Sequence, residues 1–146
     1  MKPEAMWELF CKNRHLKNES YEAWAFGSEP DKLAELVLRG VKTATSSLYL
    51  LYELEQESLP QEGSYSVLLD GRGEARCVVK TVNVYVVPFQ EVSAAHAYKE
   101  GEGDRSLAYW REVHRVFFSD CLKGTGVSFH ETMDVVCEEF EVVYAE

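Results

Sequence analysis

A lysine set among small hydroxyl residues is the first feature of this chain that could do chemistry. The run Gly40-Val41-Lys42-Thr43-Ala44-Thr45-Ser46-Ser47 follows a helical pattern and precedes a strand-like one. Burial at such a junction lowers a lysine's pKa and makes it a competent base for a neighbouring hydroxyl. The same ammonium can hold a phosphate or carbonyl as a point charge. The plainer reading is a solvated lysine in a polar turn. The run is not a phosphate-binding loop, because G-x-x-x-x-G-K is absent. A second run, Glu100-Gly101-Glu102-Gly103-Asp104-Arg105-Ser106, brings three acids close together, spaced by glycines. It reads either as an exposed flexible loop with solvated acids or as a built carboxylate cluster, and Asp104 or Ser106 is placed to cap the helix that follows. It lacks the EF-hand order of ligands, and no metal-binding set is read from it. Third, Trp110-Arg111-Glu112-Val113-His114 puts Arg111 and His114 on one helix face, where both could enter one cleft. Otherwise His114 is a core residue on an apolar stripe. Ser47, His114 and Asp104 can be assembled on paper as a triad, but nothing marks a nucleophile elbow.

Elements must position these residues. Met6, Leu9, Phe10, Cys11 and Leu16 lie near helical spacing over 3–16. Ser28 as cap, Pro30 in the first turn and Asp31 predict a second helix, with Leu33, Leu36 and Val37 as its apolar stripe and Gly40 as its stop. Residues 41–48 read as a turn leading into a strand, and 49–57 as a short helix ended by Leu59-Pro60. Segments 64–69 and 74–87 are strands joined by Asp70-Gly71-Arg72-Gly73, a strong hairpin signal. The second is long enough to require a bend or bulge. Helices are predicted over 93–98 and from about 105 to 122, and a final strand over 133–144. The class is α+β: a curled β-sheet or barrel flanked by helices, in a single domain spanning 1–146.

A chain of 146 residues can build a core without disulfide or metal staples. Its formal charge of −10 argues against a protein that coats nucleic acid by neutralising phosphates. Six acids and no Lys or Arg fall in 131–146, which predicts one acidic terminal face. The first ten residues carry Glu4 and Glu8 and no apolar run, so no signal peptide is read there. No stretch approaches the roughly 20 apolar residues of a membrane span. Cys11, Cys77, Cys121 and Cys137 are far apart and read as buried thiols, which places the chain in the cytoplasm.

At these motifs the chain resembles the ASCH domain family of the PUA-like superfamily. Gly40, Lys42 and Thr45 match the family's G-x-K-x-x-T/S motif. Residues Glu100 to Leu107, followed by Tyr109-Trp110-Arg111 and His114, resemble a second block of one subgroup, with Phe26-Gly27 before and Pro88-Phe89 between. The resemblance runs from about Trp7 to Tyr144 and implies a curled PUA-like β-barrel flanked by helices, with a cleft beside Lys42. One branch of the family hydrolyses N4-acetylcytidine with a Lys, a Thr and a Glu; the Lys and Thr correspond to Lys42 and Thr45, and Glu100 and Glu102 are both candidates for the Glu. Another member is a ribonuclease depending on the motif Lys and on Ser and Tyr residues, for which Ser106 and Tyr109 are the candidates here. The chain departs from the short hydrolases in its N-terminal helical region, longer central segment and 100–106 insertion.

The resulting expectation is an enzyme acting on a modified nucleoside or RNA, with amide hydrolysis favoured. Lys42 would be the base, Thr45 the nucleophile, and Glu100 or Glu102 the group that orients substrate or protonates the leaving amine. Arg105, Ser106, Tyr109, Arg111 and His114 would bind substrate, with no metal and no cofactor. The alternatives are a non-catalytic RNA-binding module using the same cleft, with Lys42, Arg105 and Arg111 on phosphates, and a regulatory metabolite-binding domain.

Overall fold

The computed structural model describes residues 1–146. Pro3 opens α1 (Pro3–Arg14), whose buried face of Met6, Trp7 and Phe10 packs on one side of the sheet against Val67, Ala75 and Val78. A short strand follows, β1 (Tyr21–Trp24), which sequence patterning did not signal. Next, α2 (Pro30–Leu38) lays Leu33, Ala34 and Val37 against Leu68, Cys77, Val79 and Phe140 on the opposite side. Ser28 does not cap this helix. Glu29 holds the cap position with φ 44°, and Asp31 instead accepts the Gly71 N–H at 2.8 Å, tying α2 to the hairpin turn.

The chain then forms β2 (Ala44–Leu48), α3 (Tyr49–Glu55), β3 (Tyr65–Leu69) and β4 (Ala75–Pro88). The predicted hairpin is β3–β4, and Asp70 fastens its turn by accepting the N–H groups of Arg72 and Glu74 at 2.9 and 3.0 Å. Helices α4 (Ala94–Glu100) and α5 (Leu107–Cys121) lead to β5 (Asp134–Tyr144). Leu48, Phe89, Val92, Ala97, Trp110, Phe118 and Val135 form the core between these helices and the sheet.

All five strands form one sheet in the order β1-β3-β4-β5-β2, with β1 parallel to β3 and every other pair antiparallel. The sheet is open. β1 and β2 are its two edges, so the expected mixed α+β fold is present with its sheet open rather than closed into the curled barrel that the resemblance implies. The long β4 does break register, between Val78 and Val79 and again between Thr81 and Asn83, the irregularity its length required. Nor do the terminal acids form one face. β5 is an interior strand, so Glu138 is buried while Glu139 meets Lys99 at 3.1 Å, and Glu131 meets Arg115 at 2.7 Å. The four cysteines are free, with Cys77 and Cys137 buried. No helix is long and apolar enough to cross a membrane.

Candidate functional site: a buried lysine held by two glutamates

Gly40 explains how the motif lysine turns inward. With φ +75° it ends α2 in a Schellman arrangement: Gly40 N–H donates to the Val37 carbonyl and Val41 N–H to that of Leu36, both at 3.0 Å. The next residues are strapped on both sides. Thr43 N–H donates to the Lys99 carbonyl of α4 at 2.7 Å, and Phe140 N–H of β5 donates to the Thr43 carbonyl at 3.0 Å. Lys42 is thereby driven into the interior, where it is only 1% exposed. The solvated-turn reading does not hold.

An ammonium has three N–H donors, and Lys42 Nζ has three oxygen partners. They are Glu102 Oε2 at 2.9 Å, Glu100 Oε1 at 3.4 Å and the Glu100 carbonyl at 3.3 Å. The Phe26 ring lies 5.1 Å from Nζ and adds cation–π attraction. Glu100 ends α4 and is itself 1% exposed. Its Oε2 accepts from Trp110 Nε1 and from His96 Nε2, the latter at 2.8 Å, and His114 Nε2 lies 3.5 Å from Oε1. Burial alone would raise its pKa. The Lys42 charge, together with His114 and His96 beside the carboxylate, outweighs that and holds the carboxyl well below its usual range. His114 Nδ1 donates to the Trp110 carbonyl at 2.9 Å, and its ring stacks on Trp110 with centroids 4.3 Å apart. Glu102 differs from Glu100. Lys42 is the one hydrogen-bond partner of its carboxylate, and its side chain is 18% exposed.

The glycines of this loop are packing requirements rather than sources of flexibility. Gly101 has φ +75°, and a Cβ there would lie 2.5 Å from the Val41 carbonyl oxygen. Gly103 is covered by the Tyr109 ring, 2.4 Å from where its Cβ would be. Gly101→Ala is expected to cost about 1–3 kcal/mol from overpacking and roughly 1–2 kcal/mol more from the left-handed backbone. A thermal unfolding scan reads the loss directly.

These groups open onto a cleft of about 1220 Å³ whose lining includes Lys42, Thr45, Glu100, Glu102, Tyr109 and His114. Six of the sequence-predicted residues therefore line the same cleft, although no hydrogen bond joins Thr45 to Lys42. The other three do not line it. Arg105 lies over the Tyr98 ring at 3.6 Å and donates to the Tyr98 and Val41 carbonyls. Ser106 caps α5 by accepting the Tyr109 N–H. Arg111 donates to the Gln90 carbonyl at 3.0 Å, because three residues along a helix leave enough angular offset for Arg111 and His114 to diverge. The paper triad also comes apart: Ser47 bonds Tyr52, and Asp104 accepts from the Ser106 backbone.

Sequence patterning missed three participants. Trp110 belongs to the core, and its indole N–H also serves Glu100. His96 carried no signal beyond lying one helical turn before Glu100. Glu138 was counted among surface acids but lines the cleft. Eight glutamates (Glu19, Glu22, Glu29, Glu57, Glu62, Glu100, Glu102 and Glu138) line it against one Lys or Arg, Lys42. Ligand atoms of Glu100, Glu102 and His114 lie within 4.8 Å of one another, a metal-capable grouping that sequence spacing concealed. The Lys42 ammonium stands against both carboxylates and supplies the positive charge that they attract.

An open mixed sheet with an inward lysine after α2, paired with Glu100 at the end of α4 and with Glu102 just beyond it, defines the class. The chain belongs to the ASCH domain family, which matches residues 22–144. It is similar to an ASCH domain from Lactobacillus crispatus JV V101, with 34% identity over 97% of this chain and 94% of that one and a TM-score of 0.90. A protein from Enterococcus faecalis V583 is similar to the same degree, at 34% identity over 97% of this chain and 87% of that one, TM-score 0.90. A mutant form of an ASCH protein from Zymomonas mobilis shares the fold alone, at 11% identity over 88% of this chain and 72% of that one, TM-score 0.50. No curated protein matches the chain.

Proposed function

We propose that the cleft hydrolyses the amide of an N-acylated nucleoside, with Thr45 as nucleophile and the Lys42–Glu102 pair moving the protons. One observation carries this reading: the 2.9 Å Lys42–Glu102 pair opens onto the same cleft that Thr45 lines. Closing a substrate over the pair removes water, and a proton can then pass from the Lys42 ammonium to the Glu102 carboxylate. The neutral Lys42 amine accepts the Thr45 hydroxyl proton as Oγ1 attacks the acyl carbon. Glu102, now protonated, gives its proton to the departing exocyclic amine, and both groups return to their starting charges. Glu100, saturated with donors, holds Lys42 in place, while the more exposed Glu102 reaches substrate. The residual acyl ester on Thr45 is released by water.

The charge of the cleft supports a small uncharged substrate over an RNA-binding module. Phosphates would face eight glutamates, and the arginines expected to receive them are engaged with backbone carbonyls elsewhere. The test is incubation with N4-acetylcytidine, other N-acylated nucleosides and short RNAs, read by mass spectrometry, with affinities measured over a salt series. Amine release from the nucleosides and an affinity nearly flat in salt are expected. An RNA-binding module gives no release and an affinity that falls by about a power of ten for each tenfold rise in salt per phosphate neutralised.

A further inference from the structure

Glu138 is a carboxylate that the hydrolysis described above does not yet use. It is the register partner of Thr45 across the β2–β5 pair. Directly opposed residues of an antiparallel pair project from the same face, with Cβ atoms about 4.5–5.5 Å apart. Both side chains line the cleft. Glu138 is 8% exposed, and Thr81 Oγ1 donates to its Oε2 at 2.8 Å, fixing the carboxylate. No protein N–H or O–H reaches its other oxygen. The contrast with Glu100 is informative. Glu100 is met by an indole, two imidazoles and an ammonium, as a carboxylate placed for structure should be. Glu138 is buried with a single hydroxyl donor, where an apolar side chain would pack at lower cost.

We infer that Glu138 is the general base that activates water to hydrolyse the acyl–Thr45 ester. This rests on the hydrolase reading and assigns its second half. The Glu138 carboxylate removes a proton from water as the water oxygen bonds to the ester carbon. The bond from that carbon to Thr45 Oγ1 then breaks, and Glu138 delivers the proton to Oγ1. The acid product leaves, with Thr45 and Glu138 restored. Burial, with help from the Glu22 charge and against the Thr81 hydrogen bond, pushes the Glu138 carboxyl above its usual range and strengthens it as a base.

Glu138→Gln tests this, because the amide keeps the volume and still accepts from Thr81. With N4-acetylcytidine as probe, the variant is expected to release one equivalent of cytidine in a burst. Turnover should then be slower than the parent by about 10²–10⁴-fold. Intact-mass and peptide analysis should place the acyl group on Thr45, and Glu138→Gln combined with Thr45→Ala should show no adduct. At neutral pH the variant should melt no lower than the parent, since a poorly satisfied buried charge has been removed; a merely structural Glu138 predicts a clear drop. If Glu138→Gln does not fold, Glu138→Asp should show the same burst with a smaller loss. Turnover near the parental rate, or loss of the burst together with turnover, overturns the assignment while leaving the hydrolase reading standing. A parent protein that deacylates no substrate overturns both.

Discussion

Lys42→Ala is expected to lower kcat by about 10²–10⁴-fold, the range for losing a general base, with KM changed much less. The reason lies in the geometry of the pair. Without Nζ, the Glu102 carboxylate loses its one hydrogen-bond partner, and the base that this path assigns to the Thr45 proton is gone. Because the effect falls on the transition state, kcat and kcat/KM should drop together. Thr45→Ala should be at least as severe, whereas Thr45→Ser keeps a hydroxyl and should keep part of the rate. The fold should survive Lys42→Ala, because Glu100 retains its bonds from His96 and Trp110. Steady-state kinetics beside a melting curve separates the two effects. An active Lys42→Ala enzyme is incompatible with the proton path described.

Glu100→Ala should have the largest effect on stability. It strands the Trp110 indole N–H, the His96 imidazole and the buried Lys42 ammonium at once. Breaking a buried ion pair by removing one partner costs about 3–5 kcal/mol. In a chain of this size that corresponds to a fall in Tm of roughly 10 °C or more. The pH dependence carries a definite sign. The folded-state pKa of Glu100 lies well below its ordinary value of 4.5. Between those two pKa values the unfolded chain binds more protons than the folded one, so stability rises with pH across that window. The Glu100 contribution is complete above about pH 4.5 and disappears as pH falls through the folded-state pKa. Denaturant unfolding of the parent and Glu100→Gln should therefore show a wide gap at neutral pH that narrows in acid. A gap independent of pH would mean that the carboxylate charge is not what holds this network.

Local chemistry made much of the fold legible in the sequence. The Asp70–Gly73 turn between two apolar strands, the Gly40 helix stop and the stripe of α5 each express a rule within a few residues, and the structure follows all three. β1 escaped because its four residues bury little and find their partner, β3, through a parallel pairing some forty residues away. The curled barrel is what the family resemblance implies, whereas the length of β4 implies only a bend or bulge, and nothing in the sequence decides whether the two edge strands meet. Lys42, Thr45, Glu100 and Glu102 were legible as residue types in short motifs. Their convergence depends on the straps from Lys99 and Phe140 to Thr43, which no motif records. Arg105 and Arg111 lie outside the cleft lining, because sequence position gives a side chain's origin but not which carbonyl satisfies it. Glu138 was overlooked because its neighbours are also acidic, and only strand register shows that it stands beside Thr45 while Glu139 turns away.

The most direct measurement is the fate of N4-acetylcytidine with the parent protein and with Thr45→Ala, followed by mass spectrometry of both the small molecule and the intact chain. The expected result is many equivalents of free cytidine from the parent, none from Thr45→Ala, and no acyl adduct on that variant. Unchanged N4-acetylcytidine and no release from any other N-acylated nucleoside with the parent, or undiminished release with Thr45→Ala, would contradict a Lys42–Thr45–Glu102 hydrolase.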